Sequence, residues 1–155
     1  MVEISYNIKS PEWNKNLPSY KKCISNSVNQ IFKIIKFSSN NEISISFLLT
    51  SNSEIKLLNQ KYRNKNKPTN VLSFPMNEKI ENKNYLGDVV ISCEKIIDES
   101  YEQNIKKYKY LSKMTIHGVL HLLGYKHDTE SQFNKMNSIE KNILKEMYKY
   151  ICLKI

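Results

Sequence analysis

The sequence predicts an α/β fold of the α+β type, in which a small mixed four-stranded sheet is layered with about five helices. Short runs of β-branched or alternating residues indicate the strands, and apolar residues that recur every three or four positions indicate the helices. The chain has 155 residues, of which 40% are hydrophobic and 25% charged. These values fit one globular domain over residues 1–155.

The first part of the chain alternates strands and helices. Val2–Ile8 alternates loosely between apolar and polar residues, which predicts a strand. Apolar residues recur with helical spacing over residues 18–37, so an amphipathic helix is expected there. Residues 43–50 are rich in β-branched side chains and predict a second strand.

A second helix is expected over residues 52–63, because Ser51 and Glu54 have the spacing of a capping box. A polar loop follows it. Residues 71–74 then predict a short strand, which we expect Pro75 to end because proline has no N–H for the strand ladder.

Three more elements are predicted before the last helix. Residues 86–92 indicate a strand, and residues 94–103 a short helix. A longer helix is expected over residues 107–123, where Gly124 can supply the left-handed cap.

The last helix begins at a second predicted capping box, formed by Thr129 and Gln132. Its apolar residues follow one another at helical spacing and predict a buried stripe: Phe133, Met136, Ile139, Ile143, Met147 and Ile151.

Charge and composition limit the partners and the location. The 24 Lys and Arg residues outnumber the 15 Asp and Glu residues, and the resulting net charge of +9 favours polyanions such as nucleic acids. Excess lysine also occurs simply as a solvated surface. No apolar run approaches a membrane span, and Cys23, Cys93 and Cys152 are too scattered for a disulfide framework. We therefore expect a cytoplasmic protein without a membrane segment.

Three histidines carry the main chemical signal. His117 and His121 are one helical turn apart and project from the same face, and Gly124 lets the chain turn so that His127 can return to the same point. Three neutral imidazoles with an open fourth position are typical of catalytic zinc. The alternative is a set of buried histidines with only a structural role, because the helical stripe that contains them faces the core.

The spacing of the histidines resembles the long zinc-protease motif, in which Glu follows the first His as general base. This chain has Gly118 there, so peptide hydrolysis lacks its base and a phosphoryl centre is the better substrate. Arg63 is the candidate cation for that phosphate, because its planar guanidinium can bind two oxygens at once. The alternative for Arg63 is an ordinary exposed charge at a helix C-terminus.

The stretch HGVLHLLGYKH (residues 117–127) resembles the HGxLHLxGYDH signature of the YbeY family of zinc-dependent bacterial endoribonucleases. Two more stretches resemble that family, LNQKYRNKNKPTNVLSFPM (residues 58–76) and LGDVVIS (residues 86–92). Their order and spacing also agree, so the resemblance spans roughly residues 40–145, whereas the first 40 residues share only a strand followed by a helix.

The resemblance implies single-strand-specific RNA cleavage in ribosomal RNA maturation. It implies one Zn²⁺ held by His117, His121 and His127, with Arg63 engaging the substrate. The partners it implies are single-stranded ribosomal RNA, the ribosome, a small-subunit ribosomal protein and a ribosome-associated GTPase. It also implies a small α/β layer with the metal at the base of a basic cleft.

Two residues depart from the family pattern. Asn70 stands where the family has Asp, and Lys126 stands where the family has Asp before the third histidine. Asp128 is a candidate to replace the second of these in orienting the third ligand. The general base stays unassigned between Asp88 and Asp128, and Asp88 is also a candidate for a turn or capping residue.

Two other functions remain open at this point. One is a metalloprotease-like hydrolase, which Gly118 disfavours. The other is a ribosome-associated assembly factor whose metal only stabilises the fold.

Overall fold

The computed structural model describes residues 2–37, 42–80 and 82–151, with side chains up to residue 149. Cys152 and the side chain of Ile151, which the sequence analysis used, lie outside the described residues. The elements in chain order are β1 (Val2–Ile8), α1 (Glu12–Asn16), α2 (Tyr20–Ile34), β2 (Glu42–Thr50), α3 (Asn52–Arg63), β3 (Val71–Ile80), β4 (Lys83–Ser92), α4 (Cys93–Glu102), α5 (Lys107–Leu122) and α6 (Glu130–Ile151).

The strands form one mixed sheet in the order β1-β2-β4-β3. β1 and β2 are parallel, β2 and β4 are parallel, and β3 is antiparallel to β4. The predicted α+β class and four-stranded sheet are therefore confirmed. β1 and β3 are the two edge strands, and β3 lies beside the elements that carry the predicted site.

The two faces of the sheet are covered differently. Val89 and Ile91 of β4 join the main core, to which α2, α4, α5 and α6 also contribute. Val90 points the opposite way and packs with Ile55 of α3 in a second, smaller cluster. As a result α3 lies on one face of the sheet, and α5, which carries two of the predicted histidines, lies on the other.

The structure contains a short helix, α1, that the sequence analysis did not predict. Its Trp13 is fully buried, and the indole N–H donates a hydrogen bond to the Thr50 carbonyl oxygen at 3.1 Å. Five residues are too few for a helical periodicity to be recognised, so a tertiary contact rather than a local pattern fixes this element.

The prediction that Pro75 ends a strand is wrong. β3 continues to Ile80, with Pro75 paired to Gly87 and an irregularity in the register between Pro75 and Glu78. Proline is tolerated here because β3 is an edge strand, where the missing N–H can face away from the ladder. A Cβ on Gly87 would lie 2.1 Å from the Phe74 carbonyl oxygen, so only glycine allows this close pairing.

One predicted capping box is wrong and the other is confirmed. Ser51 precedes α3 but makes no capping hydrogen bond, and its hydroxyl instead contacts that of Ser53 at 3.0 Å. At α6, the N–H of Gln132 donates to Thr129 Oγ1 at 3.2 Å, and the N–H of Thr129 donates to Gln132 Oε1 at 3.3 Å. The start of α6 is thus fixed locally.

Left-handed backbone is supplied mainly by asparagine. The four non-glycine residues with positive φ in the described ranges are all of this type: Asn64, Asn77, Asn82 and Asn104. Asparagine tolerates this conformation better than most residues. None of the helices in the described residues has both the length and the apolar character to cross a bilayer.

Candidate metal centre

A tight turn at the end of α5 positions the third histidine. Gly124 has φ +90°, its N–H donates to the His121 carbonyl oxygen at 3.0 Å, and the N–H of Tyr125 donates to the Leu120 carbonyl oxygen at 3.0 Å. These two bonds form a Schellman motif, which needs a left-handed residue at this place. The chain reverses there, and His127 comes back beside the helix, as predicted.

The three histidines form one cluster. Nε2 of His117 and Nε2 of His121 are 3.0 Å apart. The ring of His127 lies 5.4 Å from that of His117 and 4.8 Å from that of His121, measured between centroids. One nitrogen from each ring can be chosen so that all three lie within 4.8 Å of one another. The structure thus brings together the three residues that the sequence singled out.

Hydrogen bonds behind the cluster fix the first two rings. His117 Nδ1 lies 2.6 Å from Glu140 Oε1 on α6, and Glu140 is only 8% exposed. His121 Nδ1 lies 2.9 Å from the Tyr125 carbonyl oxygen. Because a carboxylate and a carbonyl only accept, both Nδ1 atoms carry the proton, and the Nε2 lone pairs face the cluster centre. This donor set fits a divalent metal that prefers imidazole nitrogen.

Electrostatics keep His121 neutral. Burial, followed by the neighbouring His117, lowers its pKa from 6.5 to about 4, and His127 and Arg63 add smaller contributions in the same direction. A neutral imidazole is the form that binds a metal. Arg63, at the exposed C-terminal end of α3, therefore contributes positive charge to the electrostatic environment of His121.

Gly118 faces the sheet and not the cluster. A Cβ at this position would lie 2.8 Å from Val89 Cγ1 and 3.1 Å from Val71 Cγ2. The position that carries the general base in zinc proteases is therefore closed by the packing of α5 on β3 and β4. A glutamate here could not reach the histidines without separating the helix from the sheet.

The two aspartates considered as general bases lie in different places. Asp88 alternates with Val89 on β4, so its side chain points to the α3 face, where the Tyr85 hydroxyl donates to its Oδ1 at 2.5 Å. Asp128 is exposed, and its N–H donates to Gln132 Oε1 at 3.2 Å. No hydrogen bond joins Asp128 to His127 within the part of the chain that the structure describes.

Asn70 has a structural explanation. Its Nδ2 donates to Glu99 Oε2 at 2.9 Å, and its Oδ1 accepts the N–H of Val71 at 2.7 Å. The Tyr110 hydroxyl donates to the same Glu99 oxygen at 2.5 Å, and the pKa of Tyr110 is raised to about 12, first by burial and then by that bond. An amide at position 70 therefore matches the carboxylate that faces it.

Sequence reasoning missed Glu140. Its signal was present, because Met136, Glu140 and Met147 recur at helical spacing, which places an acidic residue on the buried stripe of α6. A buried carboxylate among apolar residues indicates a specific partner. The partner, His117, could be found only from the packing of α6 on α5.

Comparison with known proteins agrees with this geometry. The family model described as Endoribonuclease YbeY matches residues 6–148. The chain belongs to the YbeY endoribonuclease family. Endoribonuclease YbeY of Pelagibacter ubique is 40% identical over all of this chain and 99% of its own length, and that of Bartonella bacilliformis is 35% identical over 95% of this chain and 94% of its own.

The structural similarity extends over nearly the whole chain. The solution structure of TM1509 from Thermotoga maritima matches 97% of this YbeY chain and 93% of its own, with a TM-score of 0.52 and 28% sequence identity. The family match begins within β1 and ends within α6, so it includes residues 6–40, where the sequence resemblance was weak.

Proposed function

We propose that this YbeY-family chain acts as one domain over residues 1–155 and cleaves single-stranded ribosomal RNA during ribosomal RNA maturation in the cytoplasm. The YbeY family consists of endoribonucleases, which supports a hydrolase acting on RNA. The observation that carries the proposal is the cluster of three imidazoles whose ring nitrogens converge. The charge of Arg63, which helps to lower the pKa of His121, supports it. The ribosome, a small-subunit ribosomal protein and a ribosome-associated GTPase are its proposed partners.

The proposed cofactor is one Zn²⁺ ion held by His117, His121 and His127. Three imidazoles suit a catalytic zinc, because a structural site would be closed by a fourth residue and none joins the cluster among the residues that the structure describes. When bound, the ion would lower the pKa of a coordinated water and polarise a phosphate oxygen.

The chain's own residues would orient and neutralise the substrate. Glu140 and the Tyr125 carbonyl hold the rings of His117 and His121 with their Nε2 atoms directed to one point. Arg63 is proposed to bind the non-bridging phosphate oxygens, since its guanidinium is exposed and can form two parallel hydrogen bonds. Asn64, which follows it, is left-handed and ends α3, so the arginine stands at the last position of the helix.

The test is a cleavage assay on single-stranded ribosomal RNA with metal content measured on the same samples. It compares the wild type with His121→Ala, Arg63→Ala and a control, Lys56→Ala, which removes an exposed charge elsewhere on α3. We expect both site variants to lose activity by about 100-fold or more, and only His121→Ala to lose metal.

Two outcomes would contradict the proposal. Equal residual activity in all four proteins would indicate a contaminating nuclease. Loss of metal from Arg63→Ala would show that Arg63 supports the structure of the cluster and does not bind substrate.

A further inference from the structure

A second concave site lies away from the histidines. It is a pocket of about 510 Å³ between the N-terminal ends of α2 and α5 and the C-terminal part of α6. Its lining includes Lys22 on α2 and Tyr148 on α6. From the first half of α5 and the residue before it, the lining includes Lys106, Tyr108, Lys109 and Ser112. We call this site the lysine–tyrosine pocket.

The lining of the lysine–tyrosine pocket is mainly apolar, and three lysines and two tyrosines are among its residues. Lys22, Lys106 and Lys109 are exposed, and no Asp or Glu is among its described lining residues. Lys109 Nζ lies 5.2 Å from the centre of the Tyr148 ring. Residues 106–113 contain four lysines, two tyrosines and no acidic residue. Lysines interleaved with aromatic rings are typical of surfaces that bind single-stranded nucleic acid.

A groove of similar volume on the opposite side of the sheet has different chemistry. It is lined by Tyr62 and Phe74 but also by the carboxylate of Asp88. A carboxylate repels phosphate, so this groove lacks the uniform positive charge of the lysine–tyrosine pocket.

The lysine–tyrosine pocket and the histidine cluster lie at two ends of the same helix pair. At one end Glu140 of α6 meets His117 of α5, and at the other the Tyr148 hydroxyl lies 3.5 Å from Ser112 Oγ. Eight residues of α6 separate the two contacts, which is about 12 Å. About four stacked nucleotides span such a distance at the spacing of one strand.

We propose that the lysine–tyrosine pocket binds a base of the single-stranded RNA outside the cleavage site, with the flanking phosphates on Lys22, Lys106 and Lys109. The inference rests on the proposed function in taking RNA as the ligand. The tyrosine rings offer a stacking surface to any base, and each phosphate contact releases counterions. The pocket would therefore increase affinity for RNA without reading its sequence.

The test measures the dissociation constant of a fluorescent RNA of about 12 nucleotides, long enough for both sites. It compares the double variant Lys22→Glu/Lys109→Glu with the control Lys56→Glu/Lys79→Glu, which changes the net charge equally at exposed positions outside the pocket. We expect about tenfold weaker binding for the pocket variant and less than about twofold for the control. In a plot of the logarithm of the association constant against the logarithm of the salt concentration, the slope of the pocket variant should be smaller in magnitude by about 1.4. This is the value for two lost phosphate contacts on a single strand.

Variants of Tyr148 test, independently of charge, whether an RNA base stacks on the tyrosine rings of the pocket. Tyr148→Ala should weaken binding about tenfold, whereas Tyr148→Phe, which keeps the ring, should bind like the wild type. Circular dichroism establishes that each variant is folded. Equal weakening by the two lysine pairs, or wild-type affinity in the pocket variant, would overturn the proposal.

Cleavage of a dinucleotide separates this proposal from the proposed function. A dinucleotide has a single phosphodiester, and with that group at the histidine cluster neither base can reach the lysine–tyrosine pocket about 12 Å away, so the pocket variants should cleave it at the wild-type rate. If the wild type cleaves no RNA, the proposed function fails while the binding comparison still decides the role of the pocket. A pocket variant that loses dinucleotide cleavage would contradict an accessory site.

Discussion

Hydrogen bonds to Nδ1 atoms prepare the histidine cluster for a metal. Within the described ranges, one such bond is made by a charged side chain, that of Glu140, which is almost fully buried. A carboxylate behind a metal-binding histidine fixes the ring and makes it a stronger ligand. The stretch that resembles the family signature ends at residue 127, whereas Glu140 lies on the following helix.

Replacing Glu140 with Gln should weaken metal binding by about 10- to 100-fold, because an amide holds the Nδ1 proton of His117 less strongly than a carboxylate. The measurement is a competition titration with a chelator of known affinity. Glu146→Gln on the same helix is the control and should leave the affinity unchanged. Unchanged affinity in Glu140→Gln would show that the contact is only structural.

Asn70 illustrates how one departure from the family pattern is accommodated. Its amide donates to Glu99, whereas an aspartate would place a second carboxylate against the same oxygen. Restoring the family residue should therefore destabilise this particular chain.

We expect Asn70→Asp to lower the free energy of unfolding by about 1–3 kcal/mol at pH 7. Repulsion raises the pKa of the carboxyl pair in the folded state above its unfolded value. The destabilisation is thus present at neutral pH and is relieved as the pH falls and the pair takes up a proton. Urea unfolding at several pH values measures this. In a Glu99→Gln background the effect should disappear, and its persistence there would contradict the explanation.

At the scale of elements, close packing of α5 on the sheet governs what the site can do. Gly118 allows the helix to lie directly against Val71 and Val89. That contact holds His117 and His121 at the edge of the sheet and also excludes a protease-type glutamate between them. The metalloprotease alternative therefore lacks both the residue and the space.

Gly118→Ala should cost about 1–3 kcal/mol of stability, because the added methyl group must displace two valine side chains or the helix itself. The control is Thr115→Ala on the same helix, which removes a buried hydroxyl that has no hydrogen-bond partner among the described residues. That variant should lose less than about 1 kcal/mol. Thermal or denaturant unfolding distinguishes the two, and a neutral Gly118→Ala would show that the interface can adjust.

Elements were predictable where local patterns and packing agreed. The periodicities of α2, α5 and α6 and the β-branched run of β2 gave these elements within a few residues of their observed ends. The prediction that Pro75 ends a strand was wrong because a proline can lie within an edge strand. Only the order of the strands in the sheet shows that β3 is one. The predicted cap at Ser51 failed because Glu54 instead accepts a hydrogen bond from the Thr50 hydroxyl.

The residues of the candidate site were also predictable only where a local pattern determines their position. His117, His121 and His127 could be predicted because one helix and one glycine turn determine their positions over eleven residues. The contact of Glu140 with His117 and the effect of Arg63 on the pKa of His121 depend on how α6 and α3 pack, which no local spacing encodes.

At the scale of the whole molecule, the main core extends far beyond the histidine cluster. It joins the sheet to α2, α4, α5 and α6 through fully buried side chains such as Phe47, Ile91 and Leu111. The fold should therefore survive loss of the metal, which is the point on which a catalytic ion and a purely structural one differ.

Removing the metal with a chelator should lower the melting temperature by about 10 °C, since a ligand at about 1,000 times its dissociation constant contributes about 4 kcal/mol. The far-ultraviolet circular dichroism at 25 °C should stay the same, while RNA cleavage is lost. His121→Ala is the control, and the chelator should not shift its melting temperature. Unfolding of the wild type at 25 °C on chelation would favour the assembly-factor alternative with a structural metal.

Glycine is scarce in this molecule, with three in 155 residues, and asparagine supplies left-handed backbone at four other positions. Two of the glycines do what asparagine cannot do, because Gly87 and Gly118 leave no room for a Cβ, whereas a Cβ on Gly124 would meet open space. The consequence is a difference in how freely the glycines can be exchanged. Asparagine could replace the glycine of the left-handed turn before His127, but at Gly87 and Gly118 any side chain would push two packed elements apart.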